Sequence, residues 1–319
     1  MKAATRTTYG PPDVLELREV ERPVPADGEV FVRVRASSVN PADWYILNGP
    51  LMARISSGLR APKTNLLGAD YAGTVEAAGV GVTPFRVGDE VFGGRTGAFA
   101  EYVCVPHDRG IALKPANMSF EEAAALPIAA ITALQGLRDK ARLRAGQKVL
   151  VNGASGGVGT YAVQIAKALG AEVTGVCSTR NVEIARSLGA DRVIDYTRED
   201  FTVSGEQYDV IFDVAGNRSW SECKRVLEPH GTLVLVGAPK RHPLRHIVGM
   251  VLAGRLSRGR KAVFFVAKIT HADLDALREL VESGKVRSVI DRRYELDDIA
   301  DAYRYLGDGH AQGKVVVTV

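Results

Sequence analysis

The run Asn152-Gly153-Ala154-Ser155-Gly156-Gly157-Val158-Gly159 carries the clearest chemical meaning in the chain. It reads A-x-G-x-x-G, with Ala154 at a position usually held by glycine and with Gly156 and Gly159 at the other two. Residues this small let the backbone approach a pyrophosphate, and a helix starting there aims unpaired N–H groups and a positive dipole end at it. The spacing gains weight from context: an apolar strand before it, a helix after it and a second strand about 20 residues on. All three are present. Lys148 to Val151 is a short apolar strand. Val158, Tyr161, Ala162, Ile165, Ala166 and Leu169 share one helical face that ends at Gly170, and Glu172 to Cys177 reads as the next strand. The run predicts a dinucleotide site built from Gly153, Ala154, Ser155, Gly156, Gly157 and Val158 rather than a bare turn.

The end of the second strand selects between dinucleotides. A ribose 2′-hydroxyl is held by Asp or Glu at that point, whereas a 2′-phosphate needs a cation. Here the residues are Cys177-Ser178-Thr179-Arg180, with no carboxylate among them. Arg180 can donate to a phosphate and Ser178 can add a hydroxyl, so NADP(H) is the expected cofactor. Arg180 also reads as an ordinary exposed loop residue.

The elements that must position these groups follow a simple order. Residues 1 to about 115 are β-rich and turn-dense, as the alternation Val30-Phe31-Val32-Arg33-Val34-Arg35 illustrates, and suggest a small barrel. Ser119-Phe120-Glu121-Glu122 has capping-box spacing and predicts a helix from Phe120. From Gln147 strands and helices alternate, with later strands at 192–194, 209–213 and 232–236, which means a parallel sheet covered by helices. Helices are expected over 273–282 and 296–306, and the closing strand Val315 to Val319 would return to the first domain. The composition, 46% hydrophobic and 24% charged, is that of a globular protein. At roughly 150 residues per domain the 319 residues make two domains. The three cysteines form neither a disulfide framework nor a C-x-x-C pair. No stretch is long and apolar enough to span a membrane, and the first ten residues lack a signal peptide's apolar core, so a soluble cytoplasmic protein is expected.

The net charge of +4 does not announce a nucleic-acid partner. Its distribution is uneven. Lys240 to Lys268 holds eight of the 41 Lys and Arg and none of the 37 Asp and Glu, which leaves the remainder at −4. With Ile247, Val248, Met250, Val251, Leu252 and Leu256 on a helix over 244–257, this segment reads as a solvated basic helix or as a surface that draws anionic substrate groups or an acidic membrane.

These motifs, with several others, resemble a medium-chain dehydrogenase/reductase of the quinone oxidoreductase (zeta-crystallin-like) branch that works without zinc. The further motifs are Ser38-Val39-Asn40-Pro41-Ala42-Asp43, Leu67-Gly68-Ala69-Asp70-Tyr71-Ala72-Gly73, Phe85-Arg86-Val87-Gly88-Asp89, Gly97-Ala98-Phe99-Ala100-Glu101-Tyr102 and Gly313-Lys314-Val315-Val316. The resemblance spans essentially the whole chain. It implies an α/β fold, with a GroES-like β-barrel domain over 1–120 and 268–319 and a Rossmann domain with a doubly wound parallel sheet over 121–267. It also implies a homodimer, formed through a sheet edge near Thr232 to Val236. Its cofactor contacts, carried over to this chain, are Thr132 beside the nicotinamide, Tyr196 near the adenosine phosphate, Gly237 and Ala238 after the fifth strand, Phe264, Phe265 and Val266 along the nicotinamide, and Lys314 on the pyrophosphate. Asn40 and Tyr45 would meet the acceptor oxygen. Lys314 also reads as a solvated charge at a strand edge, Tyr45 as barrel packing, and Tyr71 as core.

Zinc-dependent relatives carry a ligand Cys where this chain has Asn40 and a Gly-His-Glu run where it has Gly68-Ala69-Asp70. Leu126 to Thr132 holds no Cys, His, Asp or Glu in the region of the third ligand. A catalytic zinc needs about three such protein donors, so no metal is expected, and Asp43 and Asp70 read as barrel hydrogen-bond acceptors. Without a Lewis acid, hydride transfer suits an acceptor that delocalises the arriving charge itself, a quinone or an α,β-unsaturated carbonyl. An enoyl-thioester reductase and an NADPH-binding sensor or structural protein without turnover are the competing readings.

Overall fold

A computed structural model describes residues 1–239 and 242–319. Lys240 and Arg241, at the start of the basic segment, lie outside the described residues. The chain divides into two compact units, 1–131 with 268–283 and 287–319, and 132–267 with 284–286. The first boundary falls at 131/132 instead of 120/121. Helix Phe120–Ala124 packs on the first unit's strands Glu29–Val39 and Asp70–Ala78 and stays with that unit. Both halves of its expected capping box form, Glu122 N to Ser119 Oγ at 3.2 Å and Ser119 N to Glu122 Oε2 at 2.9 Å. Pro127 then opens a separate helix, Pro127–Leu134, which loosens into a π-helical turn at Gln135–Ala141.

The first unit is built on a seven-stranded sheet. Its order is Ile290–Glu295, Lys314–Thr318, Glu29–Val39, Asp70–Ala78, Glu90–Gly94 and Ile111–Leu113, with Tyr102–Pro106 also paired to Glu29–Val39. The C-terminal strand does return here, antiparallel to Glu29–Val39 with Val315 opposite Val39. Two helices interrupt the β-rich half. Pro41–Asn48 is started by Asn40 as N-cap, with Pro at its first position and Asp43 completing a capping box, and Leu51–Ser57 follows.

The second unit is a six-stranded parallel sheet. Its order is Arg192–Asp195, Glu172–Cys177, Lys148–Asn152, Tyr208–Asp213, Leu227–Leu235 and Lys261–Phe264. In chain order that is 3-2-1-4-5-6, which reverses direction between Lys148–Asn152 and Tyr208–Asp213, where doubly wound sheets bind their ligands. The strand around 232–236 is not at the edge. Lys261–Phe264 lies outside it, a four-residue strand within the basic segment of the sequence.

Candidate nucleotide-binding site

The glycine-rich turn sits at the carboxyl ends of the strands, next to that reversal. Asn152 closes its strand and donates from Nδ2 to Asp213 Oδ1 at 2.8 Å, which ties the two strands together. The N–H groups of Gly153 and Ala154 both donate to Val176 O, at 3.1 and 3.0 Å. Each glycine then has its own task. Gly153 has φ +94°, a conformation few L-residues adopt. A Cβ on Gly159 would lie 2.0 Å from Gly153 O, so only glycine lets the helix approach the turn. A Cβ on Gly156 would meet only Gly153 O, at 3.7 Å, so that position faces open space. Gly156 is the N-cap of helix Gly157–Ala168 and has no side chain with which to cap the first-turn N–H groups. The cradle fits a pyrophosphate: open at Gly156, closed at Gly159, and lined with N–H donors.

The end of the second strand gathers residues that the sequence separates. Asn181, 5% exposed, donates from Nδ2 to Ser155 Oγ at 2.9 Å and Ser178 Oγ at 3.2 Å, joining the turn to the second strand. Parallel pairing sets Asp195 opposite Cys177. A carboxylate therefore does stand at this end, 15 residues beyond Arg180 in the chain. Its oxygens are engaged: Thr179 Oγ1 donates at 2.6 Å, and Thr197 donates from Oγ1 at 2.8 Å and from N at 3.0 Å. The Thr179 bond, with Thr197 and Arg198 beside it, holds the Asp195 carboxyl below the usual carboxylate range. Arg180 and Tyr196 are both exposed here, and Arg198 lies 3.5 Å from Asp195. Neither Asn181 nor Asp195 stands out in the sequence, because Asp195 is placed by strand register and Asn181 by side-chain contact with Ser155 across the turn.

Of the other expected contacts, Gly237 follows the fifth strand and donates from N to Asp213 O at 3.1 Å. A Cβ on it would meet Val214 O at 1.9 Å, and Ala238 packs beside it against Gly216. Phe265 lies against Gly136 with Lys140 over its ring, while Phe264 and Val266 are exposed. Thr132 is half-buried near the end of helix Pro127–Leu134.

The first unit holds a second constellation. Lys314 is 3% exposed, and its Nζ donates to Asn40 Oδ1 at 2.6 Å and lies 3.6 Å from Asp70 Oδ2. Asn40 Nδ2 donates to Asp70 Oδ2 at 2.9 Å and, more weakly, to Asp43 Oδ2 and Ser38 O. Asp70 also accepts from Ser38 Oγ at 2.7 Å and from Ile128 N at 3.0 Å. Burial, reinforced by the charge of Asp70, pushes the Asp43 carboxyl up to about 7. Burial pulls the Lys314 ammonium down, opposed by Asp70 and Asp43. Two expectations change. Lys314 is not a solvated edge charge, since it is buried with its ammonium on Asn40 and beside Asp70. Asn40 is 1% exposed with both ends of its amide engaged, which leaves no donor for an acceptor oxygen. Asp43 and Asp70 act as internal acceptors, and Tyr71 is core, its hydroxyl donating to Gly110 O at 3.1 Å. Tyr45 alone of the expected acceptor contacts is open, 37% exposed on helix Pro41–Asn48.

The donor set does not suit zinc. Asn40 and Asp70 already hold an ammonium, Ala69 offers no ligand atom, and a divalent cation beside Lys314 would be repelled. Among the described residues no three of His, Cys, Asp and Glu come together as a metal-holding group.

The fold and the glycine-rich cradle define a dinucleotide-dependent oxidoreductase. Residues 26–116 match the alcohol dehydrogenase GroES-like domain and residues 188–317 the family of zinc-binding dehydrogenases. The chain is 36% identical to the 2-methylene-furan-3-one reductase of Solanum lycopersicum, over 99% of this chain and 79% of that protein. The structure of a quinone oxidoreductase from Coxiella burnetii superposes with TM-score 0.86 at 31% identity, covering 100% of this chain and 99% of that one. An Escherichia coli quinone oxidoreductase complexed with NADPH gives 0.85 at 26% identity, covering all of both chains. The protein belongs to the medium-chain dehydrogenase/reductase family, within the group that contains the quinone oxidoreductases.

Proposed function

We propose that the protein is an NADPH-dependent reductase of quinones and α,β-unsaturated carbonyls that works without a metal. The observation that carries this reading is the Lys314 ammonium on Asn40 and Asp70, the residues that replace a ligand Cys and the end of a Gly-His-Glu run. With no Lewis acid to polarise a plain carbonyl, the acceptor must stabilise the arriving negative charge by its own conjugation. The bound nicotinamide supplies the hydride. The chain's own task is to hold and orient the reactants and keep water out. Gly156 and the first-turn N–H groups hold the pyrophosphate, and Gly237, Ala238 and Phe264 to Val266 flank the nicotinamide. The exposed Tyr45 hydroxyl is the group proposed to hydrogen-bond the acceptor oxygen, and the Lys314 network fixes the start of the helix that carries it. The tomato relative's named substrate, an enone by its chemistry, and the NADPH in the bacterial neighbour support this assignment.

Arg180 and Arg198 are proposed to meet the 2′-phosphate, while Asp195 already accepts three hydrogen bonds from Thr179 and Thr197 and faces Arg198, which makes it a poorer acceptor for a ribose hydroxyl. NADPH is expected to bind at least about tenfold more tightly than NADH, equivalent to about 1.4 kcal/mol. Titration calorimetry with both nucleotides checks this, and Arg180→Gln should erase most of the gap. Equal affinities in the unmodified protein would contradict it. We also propose that a second copy pairs along edge strand Lys261–Phe264, whose outer side is unpaired among the described residues, to give a homodimer.

A further inference from the structure

Helix Pro243–Leu256 turns an apolar stripe to solvent. Met250 is 4% exposed and belongs to the second unit's core, and a Cβ on Gly254 would lie 2.6 Å from Ala262 N, so these residues mark the inward face. Leu244, Val248, Leu252 and Leu256 are 50%, 46%, 51% and 87% exposed. At about 100° per residue, four residues spaced by four form one stripe centred on the side opposite Met250 and Gly254. Arg245 and Arg255 fall on the same outward arc, and Arg258 follows just beyond the helix, all three exposed. No ion pair engages them among the described residues. The segment has no Asp or Glu from 240 to 268.

We propose that this face is a membrane-docking surface, a helix lying in the plane of a bilayer with its apolar stripe among the acyl chains and its arginines on anionic headgroups. Such a helix needs an apolar strip, flanking cations and no acidic residue to be repelled, and all three are here. A second copy is the less complementary occupant. A two-fold contact through this stripe would set Arg245 and Arg255 against their own counterparts with no acidic residue between them, whereas a leaflet containing acidic lipid supplies the missing charge. The face points away from the sheet that carries the cradle, so docking leaves the nucleotide turn free.

The test is co-sedimentation of the full chain with vesicles of phosphatidylcholine alone and of phosphatidylcholine doped with phosphatidylserine, in low salt and in high salt. The expected result is at least about tenfold more protein on the acidic vesicles, lost in high salt because exposed charges are screened. The double variant V248S/L252S and the triple variant R245Q/R255Q/R258Q should each abolish binding while NADPH affinity and Tm stay unchanged. Equal binding to both vesicle types, no binding to either, or full binding by the folded variants would overturn the proposal. So would a halving of the light-scattering mass by V248S/L252S, which would assign the stripe to a second copy.

Discussion

Replacing Lys314 with Met is expected to cost about 3–5 kcal/mol of folding stability, the usual penalty for removing one partner of a buried ion pair. The reason lies in what remains. Asp70 is fully buried and would lose its ion-pair partner among the described residues, and Asn40 Oδ1 would lose its donor. Lys314→Met/Asp70→Asn should recover much of the loss, because it removes the stranded charge as well as its partner. The penalty also has a direction in pH. The Asp43 carboxyl is raised to about 7 in the folded chain, so folding favours its protonated form, and that contribution is lost as pH rises through about 7. Lys314 is one of the groups that ease its ionisation, so the variant should lose more stability at pH 8 than at pH 5. Chemical denaturation of both variants at the two pH values measures this. A penalty that is small and flat with pH would show that the network is not held by charge.

The second large effect separates two glycines of one motif. Gly159→Val should unfold or strongly destabilise the second unit, because even the first side-chain carbon would lie 2.0 Å from a backbone oxygen. Gly156→Val should leave Tm nearly unchanged, since the position has φ −82° and open space, yet weaken NADPH binding by 100-fold or more by filling the cradle. Thermal melts and nucleotide titration read the two effects separately. A Gly156→Val variant that binds NADPH normally would remove the pyrophosphate from this turn.

Local signals made most of the fold legible. Strand Glu172–Cys177 appears with its predicted bounds because an apolar run between turn residues has few alternatives. The capping box at Ser119 forms as read, since it is a contact between residues three apart. What stayed hidden depends on long-range pairing. Lys314 and Asn40 are 274 residues apart, and nothing beside either one says that a lysine will be buried on an asparagine. Asp195 reaches Thr179 only through strand register. Helix Pro41–Asn48 did have a local signal, the Asn40-Pro41-x-Asp43 cap, obscured by the surrounding β-rich sequence. The edge strand Lys261–Phe264 was too short and too basic at its start to stand out.

The most direct test of metal-free reduction of activated acceptors is NADPH consumption by the purified protein with a para-quinone, an α,β-enone, a crotonyl thioester and a simple saturated ketone, before and after exhaustive chelation. The expected result is turnover of the quinone and the enone, unchanged by the chelator, with the ketone inert. Turnover of the ketone, or activity with the quinone that chelation abolishes and zinc restores, would contradict the role assigned to Lys314, Asn40 and Asp70.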